Sequence, residues 1–272
     1  MNLWGLWLFA EIKIMLSTSI VLSIEDSIAE ICLIPPGRKP PTLDAVSLGE
    51  FEVILKQIHE EASRIQMVVV TTTSEKFFCV GANVDALKDM NEKTIGPWVA
   101  RGHELFNQLE DLPMPTIAKV NGYALGGGLE LAMACDFIFA TPIAQLGLTE
   151  AKLGFVSGWG GSFRLVERIG HSLAKRCFFT AKMLDAATAL KVGLVDFVGS
   201  GEEIDREIEM LARESSSCSR FAIKSFKKIL NEERLAARQR NLEAEKTYSI
   251  QSLQEPETLK QLEQFFKPKT EQ

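Results

Sequence analysis

Hydrophobic and polar positions along the chain switch repeatedly between a two-residue and a 3.6-residue period. Residues 19–23 and Ile28–Leu33 alternate as paired strands around an acidic turn at Glu25 and Asp26. Residues 48–65 space Phe51, Ile54, Leu55 and Ile58 along one helical face, and residues 67–71 form a β-branched run of the kind buried on both sides. A short strand entering a glycine turn is expected over 77–84, and a helix over 96–110. The scheme then repeats. Thr116–Val120 is a strand, 128–135 a helix start, Phe137–Ala140 and 144–147 short strands, and 158–169 a glycine-led helix. Residues 173–180 and Ala186–Lys191 are further helical pieces, closed by 194–198. Strand pairs alternating with helices predict an α/β fold. From Glu202 onward no strand signal remains, so the tail reads as helical with a break at 215–219.

This pattern divides the 272 residues into an extension (1–16), an α/β core (17–200) and a helical region (201–272). A hydrophobic fraction of 46% with 24% charged residues suits a folded chain able to bury a sizeable core. The net charge of −6 argues against a general nucleic-acid binder, which needs a basic face. Cys32, Cys79, Cys135, Cys177 and Cys218 are odd in number and far apart, which predicts free thiols and a cytoplasmic setting. The histidines at 59, 103 and 171 share no ligand spacing, so no metal site is expected. The apolar start of the chain is interrupted by Glu11 and Lys13 and falls short of the about 20 residues a membrane span needs. It reads as a non-essential extension, with Met15 as an alternative start.

Chemistry concentrates between residues 118 and 150. A strand-like run ends in Asn121-Gly122-Tyr123-Ala124-Leu125-Gly126-Gly127-Gly128-Leu129-Glu130, and a second carboxylate, Glu150, follows twenty residues later. Three consecutive glycines where a strand becomes a helix let backbone N–H groups approach a ligand closely. Glu130 then falls in the first helical turn, beside the same spot. Such an arrangement stabilises developing negative charge while a proton moves, which is the work of an enzyme active site. Competing motifs fail: Gly160-Gly161-Ser162 lacks the last glycine of a nucleophile elbow, because Arg164 stands there, and no dinucleotide or phosphate-loop order is present.

The segment 118–136 closely resembles the signature of the crotonase (enoyl-CoA hydratase/isomerase) superfamily. Phe78-Cys79-Val80-Gly81-Ala82-Asn83-Val84 resembles its first oxyanion loop, Gln145-Leu146-Gly147-Leu148-Thr149-Glu150 the segment with its second glutamate, and 189–195 the end of its core. The likeness covers residues 19–200 well and the tail in outline. It implies a ClpP/crotonase spiral of repeated ββα units, with C-terminal helices that build trimers or hexamers. It also implies an acyl-CoA thioester whose carbonyl is held by the N–H groups of Ala82 and Gly127. Glu130 would activate water and Glu150 would move the proton at the α-carbon. Ala82, Asn83, Val84, Asp85, Gly126, Gly127, Gly158 and Trp159 would contact substrate or CoA. No metal or other cofactor is implied, since coenzyme A arrives as part of the substrate.

Isomerases of this superfamily often keep only the second glutamate, whereas this chain has both, which favours a 2-enoyl-CoA hydratase of fatty-acid or related degradation. The alternatives within the fold are a Δ3–Δ2 isomerase and an acyl-CoA decarboxylase; a surface-binding, non-catalytic member is disfavoured by the intact motif. Four positions depart from the family pattern. Thr149 stands where proline is common, Leu148 where a polar residue is common, Asp85 where a basic residue is common, and Trp159 where a small residue is typical. Trp159 is expected either to narrow the pocket, which raises the decarboxylase reading, or to pack against a neighbouring helix.

Overall fold

The computed structural model of the chain describes residues 14–15 and 19–267. The extension expected over 1–16 therefore lies outside the described residues, apart from Ile14 and Met15. In chain order, β1 (Ile14–Met15), β2 (Ile20–Glu25) and β3 (Ile28–Leu33) form an antiparallel meander. The tight turn between β2 and β3 puts Asp26 and Ser27 at positive φ, a conformation that short polar side chains tolerate. α1 (Ala45–Glu60) starts at Asp44, whose carboxylate accepts from the Val46 and Ser47 amides. A cap of this kind contributes about 1 kcal/mol. β4 (Met67–Thr72) is buried along its whole length, as its run of valines requires.

The core continues with β5 (Phe77–Cys79), α2 (Val84–Leu87), α3 (Glu92–Glu110), β6 (Thr116–Val120), β7 (Tyr123–Leu125) and α4 (Gly127–Met133). β8 (Phe137–Ala140), β9 (Gln145–Gly147), α5 (Gly161–Phe179), β10 (Leu184–Asp185), α6 (Ala186–Lys191) and β11 (Phe197–Val198) complete it. One sheet runs β1-β2-β3-β4-β6-β8-β11 and a second runs β10-β9-β7-β5. Each repeat therefore sends one strand to each sheet before its helix: β4 and β5, then β6 and β7, then β8 and β9. This is the α/β fold that the strand and helix pattern predicts, in the spiral of ββα units that the resemblance implies. Val68, Val70, Ala118 and Ile138 of the larger sheet and Ala124 and Leu146 of the smaller one share the main buried core.

Three helices follow the last strand: α7 (Gly201–Ser216), α8 (Arg220–Ser252) and α9 (Pro256–Phe266). α7 lays Ile204, Ile208 and Ala212 on the outer face of the larger sheet, against Met67, Val69 and Ile117. α8 and α5 are fastened to α3 by charge: Glu110 pairs with Arg234 and Arg238 of α8, each at 2.9 Å, and with Arg164 of α5 at 2.8 Å. Three cations hold the buried Glu110 carboxyl below its ordinary range against the opposing pull of desolvation. α9 then folds back, and the Thr258 hydroxyl donates to the Gly154 carbonyl at 3.1 Å.

Several boundaries differ from the sequence reading. α3 starts at Glu92, because Asn91 and Thr94 form a capping box that apolar periodicity does not report. The four-residue α2 is too short to show a period at all. The helix expected at 158–169 begins at Gly161, since Gly160 takes a left-handed φ of 94° and ends the preceding loop. Its continuation expected at 173–180 is joined to it through a kink at Gly170 (φ 73°). The strand expected at 194–198 shrinks to Phe197–Val198.

Candidate active site

Where β7 becomes α4, Gly126 adopts φ 53° and ψ −127°, a combination that a side chain would strain. It turns the next amide, that of Gly127, out of the sheet. Close packing also fixes Gly127 as glycine: a Cβ there would lie 2.5 Å from the Trp159 ring. At the end of β5 the chain makes a matching turn, with Gly81 at φ 86°. A Cβ on Gly81 would lie 2.6 Å from the Gly127 nitrogen, so the two turns are in backbone contact. Neither the Ala82 N–H nor the Gly127 N–H donates a hydrogen bond among the described residues. Both residues line one cavity of about 500 Å³. Two unspent donors on adjoining turns, one of them opening a helix, are what an oxyanion needs.

Glu130 and Glu150 line the same cavity but are held differently. Glu130 is buried, and its Oε1 accepts from the amides of Trp159 and Gly161, each at 2.7 Å. Its Oε2 makes no hydrogen bond among the described residues. Desolvation, aided by the charges of Glu150 and Glu245, pushes the Glu130 carboxyl well above its ordinary range, and the two amides oppose that rise. Glu150 opens a short 3₁₀ helix (Glu150–Leu153) beyond β9, with both carboxyl oxygens buried and unpartnered among the described residues. Burial pushes it up to about 7, with Glu245 adding to the rise. Its Oε1 would lie 3.2 Å from a Cβ on Gly126, which places the carboxyl against the glycine turn.

The loop from Gly158 to Ser162 closes this arrangement. Trp159 is only 2% exposed, its ring centroid 4.8 Å from that of Trp98 and 5.5 Å from that of Phe106 in an edge-on contact. The indole lines the cavity and packs against α3. The loop backbone is gripped by carboxylates. While Glu130 takes two amides, Glu245 of α8 accepts from the Gly160 amide at 2.8 Å and the Ser162 amide at 3.2 Å, and from the Ser162 hydroxyl. Arg164 donates to the Trp159 carbonyl at 2.8 Å.

Of the sequence-predicted contacts, Ala82, Val84, Gly126, Gly127, Gly158 and Trp159 line the cavity with both glutamates. Asn83 and Asp85 do not. The Asn83 side chain accepts from the Asp85 amide at 3.1 Å to start α2, and Asp85 faces solvent in an ion pair with Lys88 at 2.7 Å. Sequence reasoning missed Glu245, and also Ser249, Gln261 and Phe265, which α8 and α9 bring to the cavity wall. Lys227 of α8 donates to the Asp136 carboxylate at 2.6 Å.

Comparison with known proteins gives the family and the fold. The family model described as enoyl-CoA hydratase/isomerase matches residues 23–270. A short-chain-enoyl-CoA hydratase of Clostridium acetobutylicum is 34% identical over 216 residues, covering 78% of this chain and 81% of that protein. Among solved structures, an enoyl-CoA hydratase from Bacillus anthracis superposes with a TM-score of 0.74 at 32% identity, covering 91% of this chain and 95% of that one. One from Bacillus halodurans reaches 0.84 over 91% of this chain and all of its own, and at 22% identity it speaks for the fold alone.

Proposed function

The chain belongs to the enoyl-CoA hydratase/isomerase (crotonase) family, and we propose that within it this protein is a hydratase, adding water across the double bond of a trans-2-enoyl-CoA thioester. The observation that carries the reading is a pair of buried carboxyls of unlike bonding, facing one cavity beside two free backbone amides. Hydration puts a hydroxyl on C3 and a proton on C2, and charge accumulates on the thioester oxygen in between. The Ala82 and Gly127 N–H groups receive that oxygen. A donor of this kind is worth about 3–4 kcal/mol of barrier.

The two glutamates divide the proton work. Glu130 keeps Oε1 in two N–H bonds that favour its anion, and offers Oε2 to the water, whose proton it takes as the oxygen attacks C3. Glu150 accepts no hydrogen bond within ordinary distance on either oxygen among the described residues, and burial raises its carboxyl to about 7 against the pull of its own and the Thr149 amides, which suits the acid that delivers a proton to C2. Two carboxyls so close in an apolar cleft hold one proton between them. Water supplies both the hydroxyl and, through the pair, the proton that replaces the one delivered.

Coenzyme A enters as part of the thioester, and no other cofactor takes part in this reading. Assembly into trimers or hexamers belongs to the same reading. It is supported by Phe221, Phe226 and Ile229, large apolar side chains exposed along α8. A cytoplasmic setting is consistent with the described helices, none of which is long and apolar enough to cross a membrane. The test is to mix the protein with crotonyl-CoA and longer trans-2-enoyl-CoAs and follow the conjugated-thioester absorbance. Rapid loss is expected; no loss in a folded protein that binds the ester overturns the reading.

A further inference from the structure

Glu245 is a buried carboxylate for which the proposed reaction has no use. It projects from α8, only 3% exposed, and reaches the loop that carries Trp159. Four successive amides of that loop, from Trp159 to Ser162, are taken alternately by Glu130 and Glu245. Neither carboxylate alone accounts for the loop: Glu130 accepts from residues 159 and 161, and Glu245 from 160 and 162. The Ser162 hydroxyl adds a further bond to Glu245. The position of the Glu130 carboxyl therefore depends on a backbone that Glu245 holds from the other partner set.

We propose that Glu245 is a positioning residue of the active site: by gripping the Gly160 and Ser162 amides it fixes the loop from which Glu130 takes its two N–H bonds, and so sets where Glu130 and the Trp159 ring stand against the Gly127 amide. The α8 helix thereby acts on the catalytic pair without touching substrate. A carboxylate is needed there because a glutamine offers only one oxygen, and its NH₂ would face an amide N–H in place of the other. Leaving such a buried donor unmatched destabilises the loop.

The charge of Glu245 acts at the same place. Groups facing it are His103 of α3, with Nε2 at 3.7 Å, Arg164 of α5, Glu130 of α4 and Glu150 at the start of the 3₁₀ helix. Burial holds His103 down at about 4, so it is neutral at physiological pH and brings no countercharge. Desolvation raises the Glu245 carboxyl above its ordinary range, opposed by its hydrogen bonds from Ser162 and Gly160 and, less, by Arg164. The negative charge on Glu245 raises both Glu130 and Glu150, so removing it moves their titration to lower pH.

The test compares the full-length wild type with Glu245→Gln, Glu245→Asp and, as a surface control on the same helix, Glu243→Gln. Glu150 is titrated by ¹³C NMR of carboxyl-labelled glutamate, its signal identified by its loss in Glu150→Gln. Glu245→Gln is expected to lower the Glu150 midpoint by about half a unit or more. It should also cut kcat for crotonyl-CoA about tenfold while KM stays within about twofold. Glu245→Asp keeps the charge and should restore the midpoint, and Glu243→Gln should match wild type throughout. Should Glu245→Gln fail to fold, Ser162→Ala removes one bond of the grip, and a fall in kcat at unchanged KM is the expected result. A wild-type midpoint in folded Glu245→Gln, or a kcat loss that merely tracks the folded fraction, overturns the proposal. The kinetic arm rests on the hydratase reading. Absence of hydration in the wild type would sink that reading, while the titration still decides the role of Glu245.

Discussion

Glu130 and Glu150 sit on one cavity, yet the chain treats them in opposite ways. The first turn of α4 delivers Glu130 into two short amide bonds, so one oxygen is immobilised, and the two amides oppose without cancelling the rise that burial and the charges of Glu150 and Glu245 impose. The 3₁₀ turn after β9 delivers Glu150 into a space that offers no hydrogen bond among the described residues, and desolvation carries it to about 7. Fold supplies the difference: α4 faces the loop whose Trp159 and Gly161 amides bind Glu130, whereas the turn after β9 faces the glycine bend. A pinned carboxylate suits the handling of water at a fixed place. An unpinned, protonated one suits delivery to carbon.

The strongest way to break this contrast is to neutralise each member. Glu130→Gln and Glu150→Gln should each reduce kcat by about 10²–10⁴ while leaving circular dichroism unchanged. Glu150→Gln should in addition abolish exchange of the C2 proton of the product with solvent. Wild-type turnover in either variant would remove the division of labour. Gly127→Ala comes next. Its Cβ would drive into the Trp159 ring at 2.5 Å and disturb the amide that both carboxyls flank, so a loss on the order of 10²–10³ in kcat is expected. Retention of full activity would show that the Gly127 amide does not hold the carbonyl.

A smaller effect sharpens the contrast through stability. A carboxyl raised from 4.5 to about 7 binds more protons folded than unfolded between those values, so stability falls as pH rises through that window. Glu150→Gln removes the penalty. It should raise the unfolding free energy at pH 8 by up to about 3 kcal/mol, at about 1.4 kcal/mol per pKa unit, and change little at pH 4. Chemical denaturation at the two pH values checks this, and equal gains at both would count against it. Smallest of all is Trp159→Phe. The smaller ring opens the wall beside Trp98, and kcat/KM should shift a few-fold toward longer acyl chains, about 1 kcal/mol. An unchanged chain-length ranking would leave the indole with packing alone.

What could be read beforehand follows from where each feature gets its geometry. The glycine run at 126–128, with Glu130 two residues beyond it, carries its own turn and helix start, so this part of the candidate site is legible locally. Glu150 is legible through the strand and turn that precede it. Glu245, Ser249, Gln261 and Phe265 are not, because they reach the loop at 160–162 (Glu245) or the cavity (the other three) from helix faces whose docking is decided by remote ion pairs such as Arg238 with Glu110. Trp159 showed as an oddity, but its partners Trp98 and Phe106 lie on a helix sixty or so residues earlier and cannot be inferred from spacing. Asp85 illustrates the reverse: its position in the motif suggested a ligand contact, whereas the side chain is engaged with Lys88.

The central claim is addition of water, and isotopes test it most directly. Crotonyl-CoA is incubated with the protein in water enriched in ¹⁸O and deuterium, and the product is examined by mass spectrometry and NMR. The account predicts a 3-hydroxyacyl-CoA with one ¹⁸O on C3 and one deuterium on C2, formed by wild type and lost in Glu130→Gln and Glu150→Gln. Recovery of an ester without ¹⁸O on C3, from folded protein that has bound it, would contradict hydration.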